Sequence, residues 1–304
     1  MGETQIVALT EPFGSFPHII AENAAALGGQ VGIRDDEAEL SWAELGDRVE
    51  RIAARLVEDG LERGQSVAIL GYSSIPYALV FLAAIRAGGV AAPLTTSASP
   101  GQLAGMARDS GARHIFVDRA KLTELGEDCF AGMKRIVLDE ELDGWMAAEG
   151  TMAPAYDPQP GDPFNIIYSS GTTGTPKGIV HSHLMRWRQF ASIAASWLES
   201  GLPVRTLAST PLYSNTTMVA FLPPLLAGGT VRVMRKFDCL RWLEWAQEDR
   251  TSATMLVPVQ YRRLMQEPRF DEFDLSALQL KYCTSAPFPA ELKREVLDRM
   301  PGAL

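Results

Sequence analysis

The 304-residue sequence predicts an α/β protein whose sheets are mostly parallel and carry helices on both faces. Three observations lead there. Short apolar runs of strand length alternate with longer amphipathic segments. The helical segments begin at capping residues or prolines and end at glycines. Apolar residues make up 46% of the chain, enough at this length to fill two cores.

Taken in order, Ser41 and Glu44 have capping-box spacing, and Leu45, Val49, Ile52 and Leu56 after them share one helical face. Gly60 and Gly64 close this helix, and Val67–Leu70 follows as a buried strand. A second helix, over about 75–87, ends at Gly88-Gly89 and leads into a strand through Val90–Leu94. Pro100 opens a third helix, stopped by Gly111 before the strand His114–Val117, and Arg135–Leu138 is a further strand. The proline-rich stretch from Pro154 to Pro163 reads as a linker. The chain is therefore expected to divide into a first α/β sub-domain, residues 1–160, and a second, residues 161–304.

Phe164–Tyr168 is a short buried strand that empties into a loop of small residues. A helix from about Leu184 to Leu198 comes next, then strand–helix pairs with strands at Leu207–Thr210, Val231–Met234, Thr254–Val257 and Leu280–Cys283. The last helix is Ala290–Arg299, with Pro289 near its start. Open α/β sheets hold ligands beyond the carboxyl ends of their strands. Tyr168, Thr210 and Cys283 would bring their loops there.

The formal net charge is −9, from 28 basic and 37 acidic residues, with no basic stripe. That argues against nucleic acid as a partner. Cys129, Cys239 and Cys283 are odd in number and lack metal-ligand spacing, against a disulfide framework or a zinc site. No secretory signal or membrane-spanning run is visible. Met1-Gly2 begins like a myristoylation signal, but Ile6 stands where Ser or Thr is wanted. The cytoplasm is the expected compartment. His181 and His183 invite a metal reading, yet no third ligand is in view, and His183 is expected to cap or pack at the start of the next helix. Trp242 and Trp245 lie at helical spacing, as packing residues do.

The loop after Tyr168 carries the chemistry. Ser169, Ser170, Thr172, Thr173 and Thr175 offer hydroxyls, Gly171 and Gly174 leave backbone N–H groups unobstructed, and Lys177 adds positive charge. Such a loop can surround a polyphosphate. It is not the common P-loop, because Pro176 precedes Lys177 and Gly178 follows, where that pattern needs glycine before and Ser or Thr after. It also lacks the dinucleotide glycine spacing. Pro176 and Gly178 are expected to shape the backbone and not to touch the ligand.

Ser169–Gly178 resembles, at every position, the phosphate-binding signature of the adenylate-forming superfamily. That superfamily comprises acyl- and aryl-CoA synthetases, luciferases and peptide-synthetase adenylation domains. Four other stretches resemble it in the same order. They are Leu40–Leu45, Ile85–Leu94, Pro211-Leu212-Tyr213-Ser214 (where many synthetases end in histidine), and Thr284-Ser285-Ala286-Pro287, with threonine first. The resemblance runs from about residue 15 to residue 304. It implies two mostly parallel α/β/α sub-domains of an N-terminal domain, truncated before a small barrel is complete and lacking the C-terminal domain. On that reading the magnesium-binding glutamate, a ribose-binding aspartate and a lysine for the carboxylate lie outside these residues. The fragment is then expected to be inactive alone.

The function implied is ATP-dependent activation of a carboxylic acid as acyl-AMP, with release of pyrophosphate, followed by thioester formation with coenzyme A. ATP, Mg2+ and coenzyme A are the implied cofactors. Ser169, Ser170, Gly171, Thr172, Thr173, Gly174, Thr175 and Lys177 would cradle the phosphates. Thr172, Thr173 and Lys177 would be catalytic, with Thr172 or Thr173 beside the magnesium. Thr284, Ser285, Ala286 and Pro287 would lie along the adenine, although small residues there also suit an ordinary strand-to-helix turn. Tyr213, Ser214, Asn215 and Thr216 would line the acid pocket.

Peptide-synthetase domains usually carry aspartate at the position of Ser214, to pair with the substrate ammonium. Residues 213–218 hold no charge, and an unpaired ammonium is costly in a closed site. An apolar acid, fatty or aromatic, is therefore expected. Val219, Phe221 and Leu222 suit one, though a helix core would read the same way. The expected partners are that small acid and, in a homodimer, a second copy of the chain. Two alternatives share these motifs. One is an enzyme that loads the acyl group onto a carrier-protein thiol, the other a nucleotide-binding module without turnover.

Overall fold

The computed structural model describes residues 2–126, 128–169 and 176–304, without the side chains of residues 2–4. In chain order, the elements begin with α1 (Gly2–Thr10), α2 (Phe16–Leu27), β1 (Val31–Arg34), β2 (Glu39–Ser41), α3 (Trp42–Glu58) and β3 (Ser66–Leu70). Next come α4 (Ile75–Arg86), β4 (Val90–Pro93), α5 (Pro100–Asp109), β5 (His114–Val117), α6 (Arg119–Leu125), β6 (Lys134–Val137) and α7 (Leu142–Trp145). Then follow β7 (Pro163–Ser169), β8 (Lys177–Ser182), α8 (His183–Glu199), β9 (Arg205–Ala208), α9 (Met218–Leu226) and β10 (Thr230–Val233). The chain continues with α10 (Cys239–Glu248), β11 (Ala253–Leu256), α11 (Pro258–Met265), β12 (Leu280–Cys283) and α12 (Ala290–Arg299).

These elements form two compact units, and neither is continuous in sequence. One comprises Met1–Glu11, Val31–Leu40 and Phe190–Leu304, the other Pro12–Gln30 and Ser41–Gln189. The first unit holds a sheet in the order β12-β11-β9-β10-β1-β2, with every pair from β12 to β1 parallel. Its core gathers Leu207, Leu243, Leu256, Tyr261, Leu264 and Val296. Trp242 and Trp245 join that core, the packing role that their spacing suggests.

The second unit holds a sheet in the order β6-β5-β3-β4-β7-β8, parallel but for the final β7–β8 pair. The mostly parallel α/β class expected from the alternation is thus the class observed. The helices that cover this sheet follow from local chemistry. Ser41 and Glu44 make both bonds of the capping box, Glu44 N–H to Ser41 Oγ at 3.3 Å and Ser41 N–H to Glu44 Oε2 at 2.8 Å. The face Leu45, Val49, Ile52 and Leu56 behind that cap is buried, and each such side chain contributes about 1.5–3 kcal/mol. Helix α4 is apolar all round and buried along its length, as a central helix must be. It ends where Gly88 takes φ +80°, a left-handed conformation that glycine adopts without strain.

Three features differ from the sequence expectations. The break expected at 160/161 falls inside the second unit, because β7 and β8 extend the sheet of β3–β6. The proline-rich stretch before it is pinned to that unit. Arg86 donates to the carbonyls of Ala153 at 3.1 Å and Pro154 at 2.9 Å. Asp162 accepts from Tyr156 Oη at 3.1 Å and from the Gln159 N–H at 2.8 Å. Finally, β8 was not legible as a strand, since its first four residues are all exposed and show no alternation.

Candidate active site

The loop expected to bind phosphate joins two antiparallel strands. Ser169 at the end of β7 lies opposite Lys177 at the start of β8, and Tyr168 opposite Gly178. The sequence led to a strand ending in a loop. The structure adds a returning strand that holds both ends of that loop. Ser170, Gly171, Thr172, Thr173, Gly174 and Thr175 lie outside the described residues. Of the expected phosphate contacts, Ser169 and Lys177 are therefore the two that can be placed. Both are exposed, and Lys177 has no ion-pair partner among the described residues.

Neighbouring groups hold the strand that carries Ser169. The Tyr168 hydroxyl lies 2.9 Å from both the Met106 carbonyl and Asp109 Oδ2, at the end of α5. Burial, and then the Asp109 carboxylate, push this phenol above its ordinary pKa, so it stays a donor. In the middle of β7, buried Asn165 accepts a hydrogen bond from Arg186 Nε of α8 at 3.0 Å. Arg186 also donates to Gln189 Oε1 at 2.8 Å, and burial pulls its guanidinium down to about 10.

His183 begins α8 fully buried, edge-on to Phe164 at 5.0 Å and Tyr156 at 6.2 Å between ring centroids. Neither ring nitrogen has a hydrogen-bond partner among the described residues. Burial pushes its pKa down to about 4. Burial, and then the charge of Arg186, bring His181 down to about 4 as well. His183 packs at the helix start, as expected. Among the described residues no group of three or more His, Cys, Asp and Glu side chains could hold a metal ion. The expected magnesium neighbours, Thr172 and Thr173, lie outside those residues.

The other two expected segments belong to the first unit, beyond the carboxyl ends of β9 and β12. After β9, Ser214 Oγ accepts the Thr216 N–H at 3.3 Å and caps a single 3-10 turn, Asn215–Thr217. Thr217 Oγ1 donates to the Pro211 carbonyl at 2.5 Å and lies 2.8 Å from Thr210 Oγ1. This short brace turns Tyr213 and Ser214 into a compact, half-buried and uncharged corner. After β12, Thr284, Ser285, Ala286 and Pro287 are all exposed, which suits a backbone that lies against a flat ligand.

The structure brings these segments together at one point, where Thr216 Oγ1 and Ser285 Oγ share a hydrogen bond. Ser285 has φ +74°, a conformation few side-chain-bearing residues adopt. Two supports were missed in the sequence. Gln260 donates through Nε2 to the Ser209 carbonyl at 3.1 Å, and Tyr261 Oη donates to the Tyr282 carbonyl at 3.0 Å. Tyr261 also stacks on Phe288, with centroids 5.3 Å apart. Both residues open a helix directly after a strand. That position hints at a brace, but it does not name the loop that is braced.

Comparison with known proteins then bears on the whole chain. Residues 20–304 match the family described as AMP-binding enzyme. The chain is 31% identical over 295 residues to the indoleacetate–CoA ligase of Aromatoleum aromaticum, covering 92% of this chain and 57% of that protein. A feruloyl-CoA synthase from Amycolatopsis sp is 31% identical over 269 residues, covering 88% of this chain and 53% of that one. Among solved structures, ATP-bound MatB from Rhodopseudomonas palustris aligns with TM-score 0.78 at 26% identity, covering 93% of this chain and 58% of that one. The chain therefore spans little more than half the length of the curated relatives it matches.

Proposed function

For this chain, which belongs to the AMP-binding enzyme family, we propose the role of the N-terminal part of an ATP-dependent carboxylic acid:CoA ligase acting on an apolar acid. The preferred substrate is aromatic, with fatty acids as the neighbouring class, and the expected compartment is the cytoplasm. The observation that carries this reading is the 31% identity, over 92% of the chain, to a ligase of indoleacetate. The feruloyl-CoA synthase, a second relative named for an aromatic acid, supports the same class. The uncharged corner at Tyr213, Ser214, Asn215 and Thr216 fits it, because nothing there would pair with a substrate ammonium.

In the first half-reaction a carboxylate oxygen attacks the α-phosphorus of ATP, and the bond to pyrophosphate breaks. In the second, the thiol of coenzyme A attacks the acyl carbonyl, gives up its proton, and AMP leaves. The charge that moves during the first step sits on phosphate oxygens, so positioned donors do most of the work. Ser169, Ser170, Gly171, Thr172, Thr173, Gly174, Thr175 and Lys177 are the donors assigned to the β- and γ-phosphates. The β7–β8 pairing, which sets Ser169 opposite Lys177, supports that assignment. Thr284, Ser285, Ala286 and Pro287 are assigned to the adenine. Magnesium, when bound, neutralises phosphate charge; Thr172 or Thr173 is its assigned neighbour.

The test is acid-dependent ATP–pyrophosphate exchange by the whole protein over a panel of aryl, fatty and amino acids. Exchange with aryl or fatty acids, and none with amino acids, is expected. Exchange confined to amino acids would overturn the substrate class, and silence throughout would remove the activity. Because the chain spans 57% of the first relative, residues 1–304 alone are expected to form no coenzyme A thioester.

A further inference from the structure

We propose that the Thr216–Ser285 hydroxyl pair is a positioning link that couples occupancy of the acid pocket to the affinity for ATP. The inference rests on the ligase reading for the identity of its two ligands. It stands on the geometry of two turns in the first unit and of the bond between them. Thr216 lies in the 3-10 turn that Ser214 caps and Thr217 ties to Pro211, so its hydroxyl is aimed by a braced element. Ser285 lies in an exposed turn and is held at φ +74°. The hydrogen bond between their side chains spans 69 residues of sequence.

A serine at that φ is strained, and strain of this kind persists only where surrounding contacts impose it. Thr216 supplies such a contact. Without it, Ser285 is free to relax into the extended region, and the path of Thr284-Ser285-Ala286-Pro287 changes with it. The adenine-side turn therefore has two arrangements, and the Thr216 hydroxyl favours one. An acid seated against Tyr213, Ser214 and Asn215 immobilises the 3-10 turn and with it that hydroxyl. ATP binding would then become tighter, and by reciprocity ATP would tighten the acid. Deleting either hydroxyl uncouples the two sites, whereas Thr216→Ser keeps the donor and acceptor and keeps the coupling.

The experiment uses the whole protein with α,β-methylene ATP, which cannot be cleaved at the reacting bond. Calorimetry measures its Kd with and without a saturating aromatic acid. The wild type should bind the analogue about fivefold or more tightly with the acid present, the lower range of ordinary allosteric coupling. In Thr216→Val and in Ser285→Ala that ratio should fall toward one, the double variant should be no lower than either single, and Thr216→Ser should retain it. A ratio that survives in Thr216→Val and Ser285→Ala would overturn the link and leave the ligase reading standing. The same holds for a wild type that binds both ligands independently. A wild type that binds no analogue at all would overturn both.

Discussion

A β-carbon added at Gly178 would lie 2.9 Å from Ile166 Cγ2 and 3.2 Å from Tyr168 Cε1. Glycine is therefore required by the cross-strand approach of β7 and β8, whose register sets Tyr168 against Gly178. The Tyr168 ring cannot give way freely, because its hydroxyl is tied to Met106 and Asp109. We expect Gly178→Ala to destabilise the protein by about 1–3 kcal/mol, the usual scale of overpacking. Urea denaturation should read this as a lower midpoint. In the whole protein, pyrophosphate exchange should fall too, because Lys177 sits next to the displaced residue. An unchanged midpoint would mean that the strands separate at no cost.

At the scale of the element, α4 shows how a helix built for burial can still hold a loop. Its body is apolar, and Arg86, its last residue, makes an ion pair with Glu50 of α3 at 2.6 Å. The two side chains are only 13% and 10% exposed. Glu50 Oε2 in turn accepts the Ala153 N–H at 3.0 Å, while Arg86 holds the carbonyls of Ala153 and Pro154. The stretch that reads as a linker is thus fastened by a charge pair between two helices. Arg86→Met should cost about 3–5 kcal/mol, because a nearly buried carboxylate loses its partner. Arg86→Lys should recover little of this, since an ammonium lacks the fork that reaches three acceptors. Unfolding free energies of the two variants check both statements.

For the whole molecule, pH dependence follows from groups that the fold removes from water. His183 falls from an ordinary 6.5 to about 4 through burial. The unfolded chain then binds more protons than the folded one between those values. Stability is accordingly complete above about pH 6.5 and declines as pH falls toward 4, by about 3 kcal/mol at this single site. Asp59 and Asp162 continue the trend. Burial raises each, but hydrogen bonds and neighbouring charges outweigh it, with Lys134 acting on Asp59 and Gln159 and Arg63 on Asp162. Both end below their usual value of 3.8, so their stabilisation is lost at still lower pH. Urea midpoints should therefore fall between pH 7.5 and pH 5. In His183→Phe, which keeps an aromatic ring beside Phe164 and Tyr156, that drop should shrink but persist in part, because His181 is brought down to about 4 as well and burial lowers His114. An equal drop in the variant would assign the effect elsewhere.

The sequence by itself determined what depends on near neighbours. The capping box at Ser41 and Glu44, the apolar face behind it, the helix stop at Gly88 and the parallel-strand runs are all local, because periods and caps are set within a few residues. The hydroxyl and glycine content of the Ser169–Gly178 loop and the lack of charge over residues 213–218 are read directly from the residues themselves. Tertiary structure alone decided what depends on distant partners. It assigned β7 and β8 to the sheet of β3–β6, sent β1 and β2 to the sheet of β9–β12, and fastened the proline-rich stretch to Arg86. It also joined Thr216 to Ser285 across 69 residues. Pairings of that kind are chosen by which edges and hydroxyls meet once the cores have formed, and short-range patterns carry no record of that choice.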